Sequence, residues 1–224
     1  MLHWTRSEVA KYYPDMLLVK RADETFGPCA TTPGKLVDIV GMLRYLEVLP
    51  TDYVLDLGAH VGSYAVACIH EGAKVRAVEA HPDNYCILHA NLSTQCECIH
   101  AAVTAAGGTA ELQVCSTYSH SIVKRKRRFG RGAASIQVPA VTLPSLLEGI
   151  TVLKCDVEGA EYELELEKHV AGLRALTVEF HRHSGDWKAD AWAICDRIRD
   201  AGFVETRRPL FNSQWNNYGV WHRP

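Results

Sequence analysis

The sequence predicts an α/β fold, an open and mostly parallel sheet with helices on both faces. Three observations carry this. From Tyr53 onward, apolar runs of strand length alternate with segments of helical periodicity. The strand–helix–strand–helix–strand rhythm runs unbroken from Tyr53 to Val103, as in parallel strands joined by crossover helices. With 224 residues the chain is long enough for one large domain with its own core and short for two.

In the first 50 residues, Ser7–Tyr13 reads as a short helix stopped by Pro14, and 23–34 as loop. Over 34–49, Leu36, Val40, Leu43 and Leu46 recur at helical spacing between Pro33 and Pro50. Tyr53–Leu57 is a buried strand entering Gly58, and Val61–His70 a helix closed by Gly72. Lys74–Val78 is the second strand. The next helix starts at His81, carries Pro82 in its first turn and runs to about Leu92. Cys96–Val103 is the third strand. Alternation over Thr109–Cys115 and the run Ile136–Val141 suggest an inserted strand pair flanking a loop over 116–132. Leu143–Leu147 is a short helix, and Val152–Cys155 a buried strand ending at Asp156. Glu158–Val170 reads as a helix, although Tyr162, Leu164 and Leu166 alternate as in a strand. Leu176–Phe180 is a strand. Asp186 caps a helix burying Trp187, Ala191, Ile194, Cys195 and Ile198, and Phe203–Arg207 with Tyr218–His222 closes the sheet.

A formal net charge of -2 excludes a global field toward nucleic acid or membrane. The eight cysteines sit mostly in apolar runs, as free thiols of a reducing compartment do. Cys96 and Cys98 read as strand neighbours rather than zinc ligands. The N-terminus lacks the apolar stretch of a signal peptide, and no segment approaches the roughly 20 apolar residues of a spanning helix. The expectation is a soluble, cytoplasmic protein without a membrane partner.

The most informative stretch is Val54-Leu-Asp-Leu-Gly-Ala-His-Val-Gly62, a strand running through glycines into a helix. Against the dinucleotide fingerprint G-x-G-x-x-G, Gly58 matches the first position, but His60 holds the second and Ser63 the third. His60 would crowd a pyrophosphate. Asp56, two residues before Gly58, would repel one and attract the ammonium of a methionine moiety beside a sulfonium. Glu79 ends the next strand 23 residues after Asp56, where an acid accepts hydrogen bonds from ribose hydroxyls. The favoured guest is S-adenosylmethionine, held by Asp56, Gly58, Ala59, His60, Gly62, Ser63 and Glu79, with Ala80 and the Ala101-Ala102 tip around the adenine and Asp156 at the acceptor junction.

These segments resemble the FkbM-type methyltransferase family. The matching pieces are Asp56–Gly62, Val78-Glu-Ala-His-Pro82, Asn91-Leu92, Ala101-Ala-Val103, Val141-Thr-Leu143, Leu153-Lys-Cys-Asp-Val-Glu-Gly-Ala-Glu161 and Val178-Glu-Phe-His181, in the family's order over about 52–182. The resemblance implies a Rossmann-like class I methyltransferase fold, with seven strands in the order 3-2-1-4-5-7-6 and the last antiparallel, and methyl transfer to oxygen, often of a sugar or natural-product hydroxyl. A single domain over 1–224 follows, with an N-terminal cap over 1–50 and a core over 51–224. Residues 1–50, the basic loop and the C-terminal tail match no family pattern.

A hydroxyl acceptor needs a base as attack develops. Lys154, Asp156 and Glu158 occupy alternate positions at one strand end, with Glu179 and His181 at the next, so these five are the candidate catalytic residues. His181 has the unperturbed pKa best suited to neutral pH. Lys154 has the alternative reading of a pairing with a neighbouring carboxylate, and Glu161 that of helix surface. Asp156 with Glu179 or His181 also offers a divalent metal a ligand set of the kind found in catechol-type O-methyltransferases. Six of the eight residues Lys124–Arg131 are basic: a solvated loop, or a contact for an anionic acceptor such as nucleic acid, a phosphorylated sugar or a nucleotide-sugar. Trp4, Trp215, Tyr218 and Trp221 are packing residues or stacking platforms. Three functions therefore stand side by side: O-methylation of a small-molecule or glycan hydroxyl, 2'-O-methylation of RNA through a Lys-Asp-Lys-Glu arrangement, and a nucleotide-binding module without catalysis.

Overall fold

The structure, a computed structural model, describes residues 46–114, 121–122, 135–183, 185–211 and 217–224. The helix expected over Ser7–Tyr13, the run Lys124–Arg131, Cys29, Cys115, Trp4 and Trp215 lie outside them. Of the helix expected over 34–49, only 46–49 are described, and these are irregular.

Among the described residues thirteen strands and α-helices follow in chain order. They are β1 (Tyr53–Leu57), α1 (Ser63–His70), β2 (Lys74–Glu79), α2 (Pro82–Leu92), β3 (Glu97–His100), β4 (Ala102–Val103), β5 (Gly108–Gln113), β6 (Ser135–Val141), β7 (Val152–Cys155), β8 (Ala175–Glu179), α3 (Trp187–Asp200), β9 (Val204–Arg207) and β10 (Tyr218–His222). The main sheet has seven strands in the order β3-β2-β1-β7-β8-β10-β9. Numbered along the chain within that sheet, this is the expected 3-2-1-4-5-7-6, with β10 antiparallel to both neighbours.

Alternation along the strands divides the core into two layers. Leu55, Leu57, Leu153, Cys155, Leu176 and Val178 face α3, where Ala191, Ile194, Cys195 and Ile198 are buried. Val54, Val75, Ala77, Val152 and Ala175 face α1 and α2, meeting Tyr64, Ala65, Cys68, Leu88 and Leu92. Asp186 caps α3 as expected, its Oδ1 accepting the Ala189 N–H at 3.3 Å. Trp221 (0% exposed) and Tyr218 (7%) are core residues, so neither presents a stacking surface.

Two elements depart from the sequence reading. The expected strand Cys96–Val103 divides at Ala101: β3 pairs with β2, while β4 leaves to join β6 and β5 in a separate three-stranded sheet. The expected helix Glu158–Val170 is a chain of 3-10 turns at Ala160–Tyr162, Leu166–Lys168 and Val170–Gly172. Gly159 (φ 113°) and Glu165 (φ 45°) adopt left-handed backbone and interrupt helical propagation. The short helix expected at Leu143–Leu147 is a 3-10 turn over Leu143–Leu146. Cys68, Cys86, Cys96, Cys98, Cys155 and Cys195 are free thiols. Among the described residues no helix is long and apolar enough to cross a membrane.

Candidate functional site

The turn leaving β1 is fixed by contact with the neighbouring strand ends. The N–H groups of Gly58 and Ala59 both donate to the Val78 carbonyl at 3.0 Å. Gly58 has φ 74°, and a Cβ there would stand 1.8 Å from the Asp156 carbonyl oxygen, so only glycine fits. His60 also takes left-handed backbone (φ 54°), and its N–H donates to Glu79 Oε2 at 2.9 Å. Glu79 Oε1 accepts the His81 N–H at 2.9 Å and the Asn84 amide at 3.4 Å. Burial raises the Glu79 pKa above the ordinary carboxylate value, against these hydrogen bonds, which lower it.

These strand ends border an open cleft of about 730 Å³. From the expected cofactor set, Gly58, His60, Glu79, Ala80, Ala101, Ala102 and Asp156 line it. The separate sheet closes it with Val103 and Leu112, and Ile122 follows Ser121, which bridges to Gln113. The Ser121 hydroxyl donates to the Glu158 carbonyl at 2.6 Å and ties this wall to the end of β7. Among the described residues the lining carries three carboxylates, Glu79, Asp156 and Glu158, and neither lysine nor arginine.

Four expected cofactor residues lie elsewhere. Ala59 is core against α1 and α2, and Ser63 is buried in the first turn of α1. Gly62 serves helix packing: a Cβ there would fall 2.7 Å from Leu92 Cδ1 and 3.0 Å from Leu88 Cδ1. Asp56 is 0% exposed, and the parallel register of β1 and β7 sets it opposite Lys154. Lys154 Nζ lies 2.9 Å from Asp56 Oδ1 and donates to the carbonyls of Gly58 (3.1 Å) and Leu57 (3.4 Å). Burial would depress the Lys154 pKa, but Asp56 and Asp156 outweigh it and hold the ammonium charged. Asp56 is thus paired with a cation beneath the turn and does not line the cleft, and Lys154 braces that turn through the carbonyls of Leu57 and Gly58. The negative charge facing the cleft comes from Glu79, Asp156 and Glu158 instead.

The other expected catalytic residues meet around one imidazole. His181 Nε2 lies 3.4 Å from Glu158 Oε2, 3.6 Å from Asp156 Oδ1 and 3.7 Å from Glu179 Oε1. Glu161, expected as helix surface, is 1% exposed and sits beneath the ring. Its Oε1 accepts the His181 N–H at 2.6 Å and lies 3.3 Å from His181 Nδ1, while Oε2 accepts the Gly159 N–H at 2.7 Å. The Tyr162 hydroxyl donates to the His181 carbonyl at 2.8 Å. Burial alone would lower the His181 pKa; Glu158, Glu161 and Glu179 reverse this and raise it to about 10. Burial, then the Asp156 charge, pushes Glu179 up to about 8 against the opposing pull of His181. The surrounding carboxylates thus favour the protonated form of His181, whereas its unperturbed pKa is what recommends the ring as a proton acceptor.

Sequence reasoning missed Val78, Asn84, Val103, Leu112, Ile122, Val157 and Ala160 as cleft-lining residues. Leu112 had a signal, since the alternation over Thr109–Cys115 marks one face as apolar. Ile122 had none, because its position depends on a bridge between Gln113 and Ser121.

A match to the methyltransferase FkbM domain spans residues 56–205, which contain every residue of the cleft and of the His181 cluster. No curated protein matches the sequence. Solved structures similar to this chain include a TehB-like SAM-dependent methyltransferase from Corynebacterium glutamicum, at 7% identity over 98% of this chain and 100% of that one, with TM-score 0.45. A SAM-dependent methyltransferase from Aquifex aeolicus matches at 12% identity over 93% and 97%, with TM-score 0.43. A fibrillarin from Aeropyrum pernix, solved with S-adenosyl-L-methionine, matches at 13% identity over 84% and 73%, with TM-score 0.44. With the domain match covering well over half of its length, this chain belongs to the FkbM family of S-adenosylmethionine-dependent methyltransferases.

Proposed function

We propose that the chain methylates a hydroxyl of a sugar or other small polar acceptor, with S-adenosylmethionine in the cleft between Gly58 and the β5–β6 wall. The cleft fits that cofactor on two counts. Glycine at position 58 lets the turn lie against the Asp156 backbone, where any side chain would collide. The three carboxylates in the lining disfavour a diphosphate beside them and attract a sulfonium amino acid. Ala80, Ala101, Ala102, Leu112 and Ile122 offer apolar surface to adenine. Glu79 Oε2 keeps lone-pair capacity for a ribose hydroxyl beyond the His60 N–H it accepts, while Oε1 already accepts from His81 and Asn84.

S-Adenosylmethionine supplies, when bound, a methyl group on a cationic sulfur that departs as a neutral thioether. The protein must align the acceptor, exclude water and receive a proton. Alignment supplies several kcal/mol, about 7–11 in well-oriented systems. As the acceptor oxygen bonds to the methyl carbon and the carbon–sulfur bond breaks, the hydroxyl proton passes to one of the two carboxylates at this end of the cleft wall, Asp156 or Glu158. The observation that carries the reading is the gathering of Asp156, Glu158 and Glu179 around His181 at the β7 and β8 ends, with Asp156 and Glu158 in the cleft wall. Transfer to an acceptor that has no proton to lose would not need such a group.

RNA 2'-O-methylation is a second reading. The basic run Lys124–Arg131 supports it, as does Lys154 at 3.7 Å from Asp156. It requires a second lysine beside Asp156, and Lys154 is already engaged by Asp56 and two carbonyls. The test is transfer of labelled methyl to sugars, nucleotide-sugars, small phenols and short RNA. Label on a sugar or phenol oxygen is expected. Salt-sensitive labelling of RNA alone, lost when Lys124–Arg128 is neutralised, would replace this proposal with the second reading. Label found only on nitrogen or carbon would end both.

A further inference from the structure

We propose that Asp156, Glu179 and His181 form a binding site for a divalent cation at the acceptor end of the cleft; the inference deepens the methyltransferase reading and rests on it.

His181 Nδ1 is turned toward Glu161, so Nε2 points at the ends of β7 and β8. The side chain is nine-tenths buried, at 10% exposure, and carboxylate oxygens stand on three sides of Nε2 at 3.4, 3.6 and 3.7 Å. Ordinary N–H···O bonds are shorter, about 2.7–3.2 Å. The ring nitrogen and the oxygens around it are thus spaced more widely than direct hydrogen-bond partners, in the range of neighbouring ligands of one ion. Ligands about 2.1 Å from an octahedral cation lie about 3.0 Å apart when adjacent and about 4.2 Å apart when opposite. One ligand atom from each of Asp156, Glu179 and His181 falls within 4.8 Å of the other two, so side-chain adjustment alone can bring all three to one ion.

The surroundings fit the same role. A metal-bound histidine commonly gives its second nitrogen to a carboxylate, which fixes tautomer and ring orientation. Glu161 stands where that partner belongs, fully buried, with its other oxygen held by the Gly159 N–H. The nearby ammonium, Lys154, lies 2.9 Å from Asp56 and 3.7 Å from Asp156, so among the described residues four carboxylates (Asp156, Glu158, Glu161 and Glu179) share one imidazole and the outer reach of one ammonium. A mixed set of two carboxylates and one imidazole suits Mn²⁺ or Mg²⁺ better than a thiophilic ion. Asp156 also lines the cleft, so the cation would stand beside the acceptor hydroxyl and lower its pKa.

The probe is Mn²⁺ added to the chelator-treated full chain. Free Mn²⁺ is followed by electron paramagnetic resonance, and S-adenosylhomocysteine binding is measured separately by calorimetry without metal. Wild type is expected to bind one Mn²⁺, displaced by Mg²⁺, with the pulsed-resonance signature of imidazole nitrogen. Asp156→Asn and Glu179→Gln lose the ion, and His181→Gln loses the nitrogen signature. Glu161→Gln, which does not touch the ion, weakens binding about 10–100-fold. Wild-type protein that binds S-adenosylhomocysteine and takes up no Mn²⁺ would overturn the inference while leaving the methyltransferase reading intact. So would Mn²⁺ bound without a nitrogen signature, a result that needs no variant to fold. Mn²⁺ bound as expected in a chain that does not bind S-adenosylhomocysteine would keep the cation site and refute the cofactor assignment of the cleft.

Discussion

Replacing Lys154 with methionine tests whether the Asp56–Lys154 pair is a buried strut of the cofactor turn. The variant keeps the side-chain length and removes the charge, leaving an Asp56 that is 0% exposed with its cation partner gone. Breaking a buried pair from one side costs about 3–5 kcal/mol. In a domain of this size 1 kcal/mol moves the melting temperature roughly 2–4 °C, so Lys154→Met should melt about 6–20 °C below wild type. Asp56→Asn should cost less, about 1–3 kcal/mol, because Lys154 retains Asp156 and the carbonyls of Leu57 and Gly58. Removing both charges together, as Asp56→Leu with Lys154→Met, leaves no orphaned ion and should recover most of the loss. The assay is thermal unfolding of the two single variants and the double variant, followed by calorimetric titration with S-adenosylmethionine. Asp56 does not line the cleft, so the double variant should bind the cofactor within about tenfold of wild type. A Lys154→Met protein melting within about 2 °C of wild type would refute the buried-strut account. A stable double variant unable to bind cofactor would return Asp56 to direct contact with the guest.

Glu79→Ala should weaken S-adenosylmethionine binding by more than tenfold, since it removes the ribose acceptor and releases the His60 and His81 N–H groups; calorimetry decides this. Gly58→Ala should abolish cofactor binding and lower the melting temperature, because the new Cβ meets the Asp156 carbonyl at 1.8 Å; unchanged affinity would mean that the turn does not touch the guest. Leu112→Ala should cost about 2–5 kcal/mol of stability and reduce cofactor affinity together, as the residue is both core of the small sheet and cleft wall. Asp52 should make stability depend on acid. Burial raises its pKa, but Arg174 and the hydrogen bonds from Leu49 and Thr151 overcome this and hold it below 3.8. A pKa lower in the folded than in the unfolded chain gives stabilisation that is complete above the unfolded value and lost as pH falls through the folded one. The melting difference between wild type and Asp52→Asn should therefore be full at pH 7 and shrink below about pH 4.

The sheet was legible because each strand is a local event. Tyr53–Leu57, Val152–Cys155 and the run ending at Phe180 are mostly apolar and are buried on both faces, as parallel strands covered by helices are, and short turn signals bound them. What failed was whatever depends on one strand's position against another. Asp56 is a strand-end acid beside a glycine turn, and nothing in its own neighbourhood reveals the Lys154 ammonium 98 residues away at the same height of the sheet. The break at Ala101 has the same origin: Cys96–Val103 reads as one apolar run, yet its second half finds hydrogen bonds with β6 instead of β2.

The string Lys154-x-Asp156-x-Glu158-Gly-x-Glu161 shows how far alternation carries an inference and where it stops. Read as a continuing strand, Lys154, Asp156 and Glu158 share a face, which made all three candidates for the chemistry. Strand geometry ends at Cys155. Up to that point the pleat turns Lys154 toward α1, where its ammonium sits 5.7 Å from the Tyr64 ring, on the side opposite Leu153 and Cys155. Beyond it, left-handed backbone at Glu158 and Gly159 folds the chain back, so that Asp156 and Glu158 border the cleft while Glu161 passes underneath to hold His181. One eight-residue segment thus supplies a strut below the turn, two carboxylates beside the guest and a support for the imidazole. The two positive φ angles that separate these roles fall at one glycine and one glutamate; the glycine announces a turn, and the glutamate announces nothing, because what holds it there is a hydrogen bond from Ser121 across the cleft.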